Sequence, residues 1–211
     1  MRRLGSAGPD LSAVGFGAWE AGGGAEWGSS PPEETVLAAI AAVFDTGISW
    51  IDTAEVYGKG RSEELVGRAI AGRRDEVLIA TKVAPAPFGS GFRGDDVRRA
   101  CEASLRRLGT DRIDVLYLDA RADTTTAVEE TLATAEWLIS AGKVRAIGAI
   151  GYQAAQLVEA RILCSAGYPR ISVLDVPFNV LRRHEFDGDL RLVANAQSMA
   201  VTPSHALEHG F

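Results

Sequence analysis

The stretch WIDTAEVYGKGRSEELVGRAI, residues 50–70, starts on an apolar run and ends on an amphipathic one. GISWID reads as a short strand closing at Asp52, and RSEELVGRAIAG as a helix opened by Ser62. Between them Glu55, Tyr57 and Lys59 occupy a strand-to-helix loop. In α/β folds such loops collect catalytic groups.

The same alternation runs outward in both directions. Apolar runs at 13–18 (AVGFGA), 48–52 (ISWID), 76–83 (EVLIATKV), 114–119 (DVLYLD), 144–151 (VRAIGAIG), 171–175 (ISVLD) and 199–203 (MAVTP) read as strands. Between them apolar residues recur at spacings of three and four, as at Val36, Ile40, Val43 and Phe44, and at Ala100, Ser104, Leu105 and Leu108. Ser30-Pro31-Pro32-Glu33 has the pattern of a capping box, and Gly109 and Gly142 stand where helix C-caps belong. Strict alternation with short connections implies a parallel sheet with right-handed crossovers. The fold class is α/β: an incomplete (β/α)8 TIM barrel of about six to seven strands, because a complete one takes roughly 250 residues. With no linker or internal repeat, residues 1–211 read as one domain. The longest loop, APAPFGSGFRG at 84–94, reads as a lid over the strand ends.

The chain of 211 residues is 46% hydrophobic, enough for a sizeable core, and carries a net charge of -6. An acidic balance argues against nucleic acid and anionic membranes as partners. No apolar segment in the first residues suits a signal peptide, and no later run suits a bilayer span. Cys101 and Cys164 read as buried structural thiols in a reducing, cytoplasmic compartment. His205 and His209 have helical spacing, but Glu208 completes no metal motif; they read as surface histidines, His184 as part of a solvated turn, and no metal is expected.

Four apolar runs end on an ionisable residue: Asp52, Lys82, Asp119 and Asp175. Any strand meets polar residues on leaving a core, but in a barrel these four positions converge on one mouth.

The blocks RRLGSAGPDLSAVGFGAW, IDTAEVYGKGRSEELVGRAI, VLIATKV, SLRRLGTDRIDVLYLD and AGKVRAIG occur in this order within residues 2–148 and resemble the aldo-keto reductases. The resemblance implies a (β/α)8 barrel plugged by an N-terminal β-hairpin, with a catalytic Asp, Tyr, Lys and His. Asp52, Tyr57 and Lys82 match the first three; Glu55 and Lys59 then read as solvated loop residues. In the family the tyrosine hydroxyl gives a proton to the substrate carbonyl while NADPH delivers hydride. The lysine, held by the aspartate, favours phenolate and so lowers the tyrosine pKa towards neutrality.

The sequence also departs from the family. Asp119 stands where the histidine belongs, a position at which the family's steroid double-bond reductases carry Glu. Ile150 and Gly151 replace the Ser-Asn pair that holds the nicotinamide carboxamide, Asp175 replaces a Gln, and Pro203 replaces a stacking aromatic. The sequence ends at Phe211, before counterparts of the eighth strand and the 2′-phosphate site.

These departures lead to the expectation of no cofactor and of a repurposed barrel. Tyr57, tuned by Lys82 and Asp52 and partnered by Asp119, is then expected to perform dehydration, isomerisation, epimerisation or cyclisation next to a carbonyl. Trp19, Trp27, Asp175 and Asn179 are expected to line the pocket for a small carbonyl-containing substrate. The alternatives are an NADPH-dependent carbonyl or enone reductase and a non-catalytic partner protein. Open barrel edges lead to the expectation of a homodimer.

Overall fold

Seven apolar runs pair in chain order into one parallel sheet, and the helices between them cover its outer face. The computed structural model describes residues 1–5, 8–24, 28–84, 93–122 and 125–208. Trp27, His209 and most of the 84–94 loop lie outside the described residues. The strands of the sheet are β3 (Phe16–Gly17), β4 (Trp50–Asp52), β5 (Leu78–Val83), β6 (Ile113–Asp119), β7 (Val144–Ile150), β8 (Ile171–Pro177) and β9 (Ala200–Ser204). Before them, β1 (Arg2–Arg3) and β2 (Asp10–Leu11) form an antiparallel hairpin. The helices are α1 (Trp19–Gly22), α2 (Glu33–Thr46), α3 (Arg61–Ala69), α4 (Gly94–Leu108), α5 (Val128–Ser140), α6 (Ala154–Leu163) and α7 (Asp189–Ala196).

Alternation along each strand separates two cores. Ile51, Ile79, Leu116, Leu118, Ile147 and Leu174 face outward and pack against helix residues such as Ile40, Leu65, Leu105, Leu132 and Leu157. Ala80, Val115, Tyr117, Ala146, Ile150 and Val173 face inward, where Leu4 and Leu11 of the hairpin meet them. A sheet covered on both faces needs unbroken apolar strands, which is why β6 is buried along its whole length. The architecture is a half-barrel of seven parallel strands with the hairpin in its interior. Among the described residues, no helix is long and apolar enough to cross a membrane.

Fully buried Asp114 ties three strands together. Its carboxylate accepts hydrogen bonds from Arg74 (2.6 Å), Arg145 (2.9 Å) and the Ile79 amide (2.9 Å). A buried carboxylate needs this degree of satisfaction.

Three local expectations are corrected. The first strand is two residues long, because Ser12 and Ser49 exchange side-chain-to-amide hydrogen bonds (2.8 and 2.9 Å) where a longer ladder would run. Ser30 makes no capping box; its hydroxyl donates to the Ala21 carbonyl at 2.9 Å, and α2 has no side-chain cap. Ser62 does not open α3, which starts after Gly60; the Ser62 hydroxyl instead donates to the Ala18 carbonyl (2.6 Å) and bonds Thr53 (2.8 Å).

Candidate active site

All strands of the sheet run the same way, so their carboxyl ends share one rim. Strand register orders the inward residues there: Lys82 pairs with Tyr117, and Asp119, Ile150, Asp175 and Thr202 form one row across β6 to β9. Lys82, Asp119 and Asp175 are 7%, 7% and 9% exposed. Lys82 and Asp175 perturb one another across this mouth.

Lys82 forms an ion pair with Asp52 and donates to the Thr53 carbonyl at 3.0 Å. Burial alone would depress its ammonium, but Asp52, Tyr57 and Asp175 outweigh burial and raise it above the ordinary lysine value. Lys82 is therefore a permanent cation. Its Nζ lies 4.8 Å from the centre of the Tyr57 ring.

Tyr57 sits in the β4–α3 loop, where its amide donates to the Ala54 carbonyl (3.1 Å) and its carbonyl accepts from the Ser62 amide (3.2 Å). The last residue of α1 presses on this turn. A Cβ at Gly22 would lie 2.5 Å from the Tyr57 carbonyl carbon, so only glycine permits the contact. Trp19, at the start of α1, stacks on the Tyr57 ring with centroids 5.5 Å apart, and His205 meets Trp19 edge-on at 5.5 Å. The expected fall of the Tyr57 pKa towards neutrality does not occur. Burial raises it and outweighs the opposing pull of Lys82. A hydroxyl kept protonated suits a proton donor.

Asp119 faces the mouth but is held by its neighbour. Arg121 donates from Nε (2.8 Å) and Nη2 (2.5 Å), one to each carboxylate oxygen, and from its amide at 3.1 Å. Gly151, at φ 73°, gives the arginine room, since a Cβ there would lie 2.5 Å from Arg121 Cγ. Burial raises Asp175 to about 6, against the pull of Lys82, and Ser204 donates to it at 2.9 Å. Asn179 is buried, with its amide spent inside the loops. It donates to the His205 carbonyl (2.9 Å) and accepts from the amides of Leu181 and Arg182 (both 2.8 Å).

Several residues read otherwise in the sequence belong to this neighbourhood. Tyr117 is fully buried beneath Lys82, its hydroxyl 3.0 Å from that of Thr202. The period of two that points Asp119 inward points Tyr117 inward as well, so that signal was available. Arg121 left no signal, because only the turn after β6 brings it back onto Asp119. Glu55 is not a solvated loop residue: it is half-buried, 3.7 Å from Arg107, and burial and Glu63 raise its carboxyl. His205 is half-buried against Trp19 rather than a surface histidine. Cys101 is buried, its thiol pushed up to about 12, whereas Cys164 is only half-buried. Among the described residues, no group of three or more His, Cys, Asp and Glu side chains could hold a metal ion.

The model for the "Aldo/keto reductase family" matches residues 13–211. Aldo-keto reductase YhdN of Bacillus subtilis (strain 168) is 38% identical over 182 residues, 83% of this chain and 53% of the relative. Methylglyoxal reductase YeaE of Escherichia coli (strain K12) is 40% identical over 149 residues, 71% of this chain and 49% of the relative. An aldo/keto reductase from Klebsiella pneumoniae, solved in complex with NADP and acetate, superposes with a TM-score of 0.79 at 30% identity, over 94% of this chain and 65% of that one. The chain spans about half the length of the curated relatives it matches. With the sheet, the hairpin and the Asp52–Tyr57–Lys82 grouping in place, the chain belongs to the aldo/keto reductase family.

Proposed function

We propose that this chain carries the catalytic mouth of an NADPH-dependent carbonyl reductase acting on a small aldehyde or ketone. One observation carries the reading. A buried, permanently charged Lys82, fixed by Asp52, lies against the ring of a protonated Tyr57 at the carboxyl rim of the sheet.

This reading replaces two expectations drawn from the sequence, chemistry of the lyase or isomerase kind and the absence of a cofactor. Relatives named as reductases and an NADP-bound structural relative overturn both. Ile150 and Gly151 offer a carboxamide no polar side chain, but other groups stand around their position. The mouth holds N–H donors on Arg121, a carboxylate on Asp175 and a hydroxyl on Thr202, a donor and acceptor set that suits a polar aromatic amide. These partners come from the turn after β6 and from β8 and β9, so the β7 motif alone does not reveal them. The residues fit a nicotinamide.

NADPH supplies the hydride when bound; the chain supplies the proton. The Tyr57 hydroxyl donates to the carbonyl oxygen as negative charge develops there. Lys82 stabilises the phenolate left behind, and Asp52 keeps the ammonium in position. Trp19 on one side of Tyr57 and the Gly22 contact beneath its backbone restrict the ring to one pose, which favours a short, aligned proton transfer. Asp119 is fully engaged by Arg121 and takes no proton step in this scheme.

The test is NADPH consumption by the chain with methylglyoxal and a panel of small aldehydes and ketones. Turnover that disappears in Tyr57→Phe supports the reading. Absence of turnover across the panel, with NADPH bound, counts against it.

A further inference from the structure

We infer that Arg107 is a positioning residue for the proton transfer, a brace behind the sheet that holds the Tyr57 loop in register with Lys82. The inference rests on the reductase reading, in which those two side chains act together.

Tyr57 and Lys82 stand on different elements, the loop after β4 and the strand β5, so their geometry is only as fixed as the link between the two. Inside the mouth that link is the Lys82 ammonium, through Asp52 and the Thr53 carbonyl. A second link runs behind the sheet. Thr81, next to Lys82 on β5, points outward by alternation and donates its hydroxyl to Glu63 at 2.6 Å. The other carboxylate oxygen of Glu63 accepts from Arg107 Nε at 2.6 Å. Arg107 in turn meets the Tyr57 loop on both sides of the tyrosine. Its Nη2 lies 3.7 Å from Glu55, and its stem packs on Gly60, where a Cβ would lie 2.5 Å from Arg107 Cδ. Glu55 also accepts from the amide of Ala84, just beyond the end of β5. One guanidinium thus spans from the strand of Lys82 to the loop of Tyr57.

Stability alone does not account for this arrangement. A buried ion pair stabilises a fold no better than an apolar contact of the same volume, and what its directed hydrogen bonds supply is a fixed geometry. Glu63 is fully buried, and Arg107 and Glu55 are largely so. The two carboxylates share one cation, so removing Arg107 leaves them repelling each other, and Glu55 is the one on a loop that can yield. A displacement of Tyr57 by about 1 Å is enough to slow a reaction by about a hundred-fold.

The test compares the wild type with Glu55→Gln, Arg107→Met and the double variant Glu63→Gln/Arg107→Met, at a temperature where every protein is folded. The double variant decides. The amide introduced at position 63 still accepts from Thr81 and strands no charge, but the link to Glu55 is gone. Its kcat for an aldehyde that the wild type reduces should stay about ten- to hundred-fold low even though its stability is largely recovered, with NADPH affinity unchanged. Hydrogen exchange, which needs no turnover, should accelerate in the loop spanning residues 53–60 and stay as in the wild type along β6. Glu55→Gln, the mildest change, should move both readouts in the same direction by a smaller amount. Recovery of turnover together with stability in the double variant makes Arg107 a structural residue only and overturns the brace while the reductase reading stands. Unchanged exchange in the loop overturns it as well. A wild type that reduces no carbonyl removes the reductase reading, and the positioning role with it.

Discussion

Trp19 lies face to face with Tyr57, ring centroids 5.5 Å apart and planes 15° from parallel. The contact joins the first helix to the loop after β4, two rings 38 positions apart in the chain (57 − 19). It leaves the Tyr57 ring between an indole and the ammonium of Lys82, whose Nζ is 4.8 Å from the ring centre. Trp19 orients the Tyr57 ring and adds to the burial that raises its hydroxyl against the pull of Lys82.

Tyr57→Phe keeps the ring, the stack on Trp19 and the Gly22 contact, and removes only the hydroxyl. Turnover should fall by about 10²–10⁴-fold, the usual range for a lost general acid. Thermal unfolding should move little. Near-normal turnover in this variant would transfer the proton-donor role elsewhere in the mouth.

Lys82→Met leaves the Asp52 carboxylate without its cation. Removing one partner of a buried pair costs roughly 3–5 kcal/mol. The stranded Asp52 answers by binding a proton, since burial already raises its carboxyl. A carboxyl raised in the folded state binds more protons folded than unfolded, so the stability of the variant should fall as pH rises. Urea denaturation at pH 5 and pH 8 reads this directly, with the larger deficit expected at pH 8.

Asp175 has the same sign in the wild type. Its folded pKa of about 6 lies above the ordinary 3.8, so its contribution to stability is intact below about pH 4 and is lost as pH rises through about 6. Asp175→Asn removes the titration and keeps an acceptor for Ser204. The variant should match the wild type near pH 4 and exceed it by about 3 kcal/mol above pH 7. A constant difference across this range would show that Asp175 is not the titrating group.

Glu63 is fully buried and accepts from Arg107 Nε and from the Thr81 hydroxyl, both at 2.6 Å. Arg107 also reaches Glu55 in the Tyr57 loop at 3.7 Å. Arg107→Met should destabilise by about 3 kcal/mol, because it strands a buried carboxylate. The double variant Glu63→Gln/Arg107→Met should recover a large part of that loss, since the charge goes with its partner. Equilibrium unfolding of the wild type, the Arg107→Met and Glu63→Gln single variants and the double variant gives the coupling.

The sequence by itself determined the order of the elements, because each strand and helix is written in its own local apolar period. Along β6, Val115 and Tyr117 inward and Leu116 and Leu118 outward need no distant information. The same period aimed Asp52, Lys82, Asp119 and Asp175 at one rim, and the motif around Tyr57 identified the family. What the tertiary structure alone decided is how those groups behave. The Tyr57 pKa depends on a balance between burial and Lys82, and only packing sets the burial. Asn179 looked available and is consumed by the loops around it. Asp119 looked like a free acid and is closed off by Arg121, a contact made possible by the missing side chain of Gly151 after the next strand. Local period depends on neighbours along the chain, which a sequence displays. Desolvation and ion pairing depend on neighbours across it, 30 residues away for Lys82 and Asp52 and 44 for Arg107 and Glu63, and these meet only when the sheet assembles.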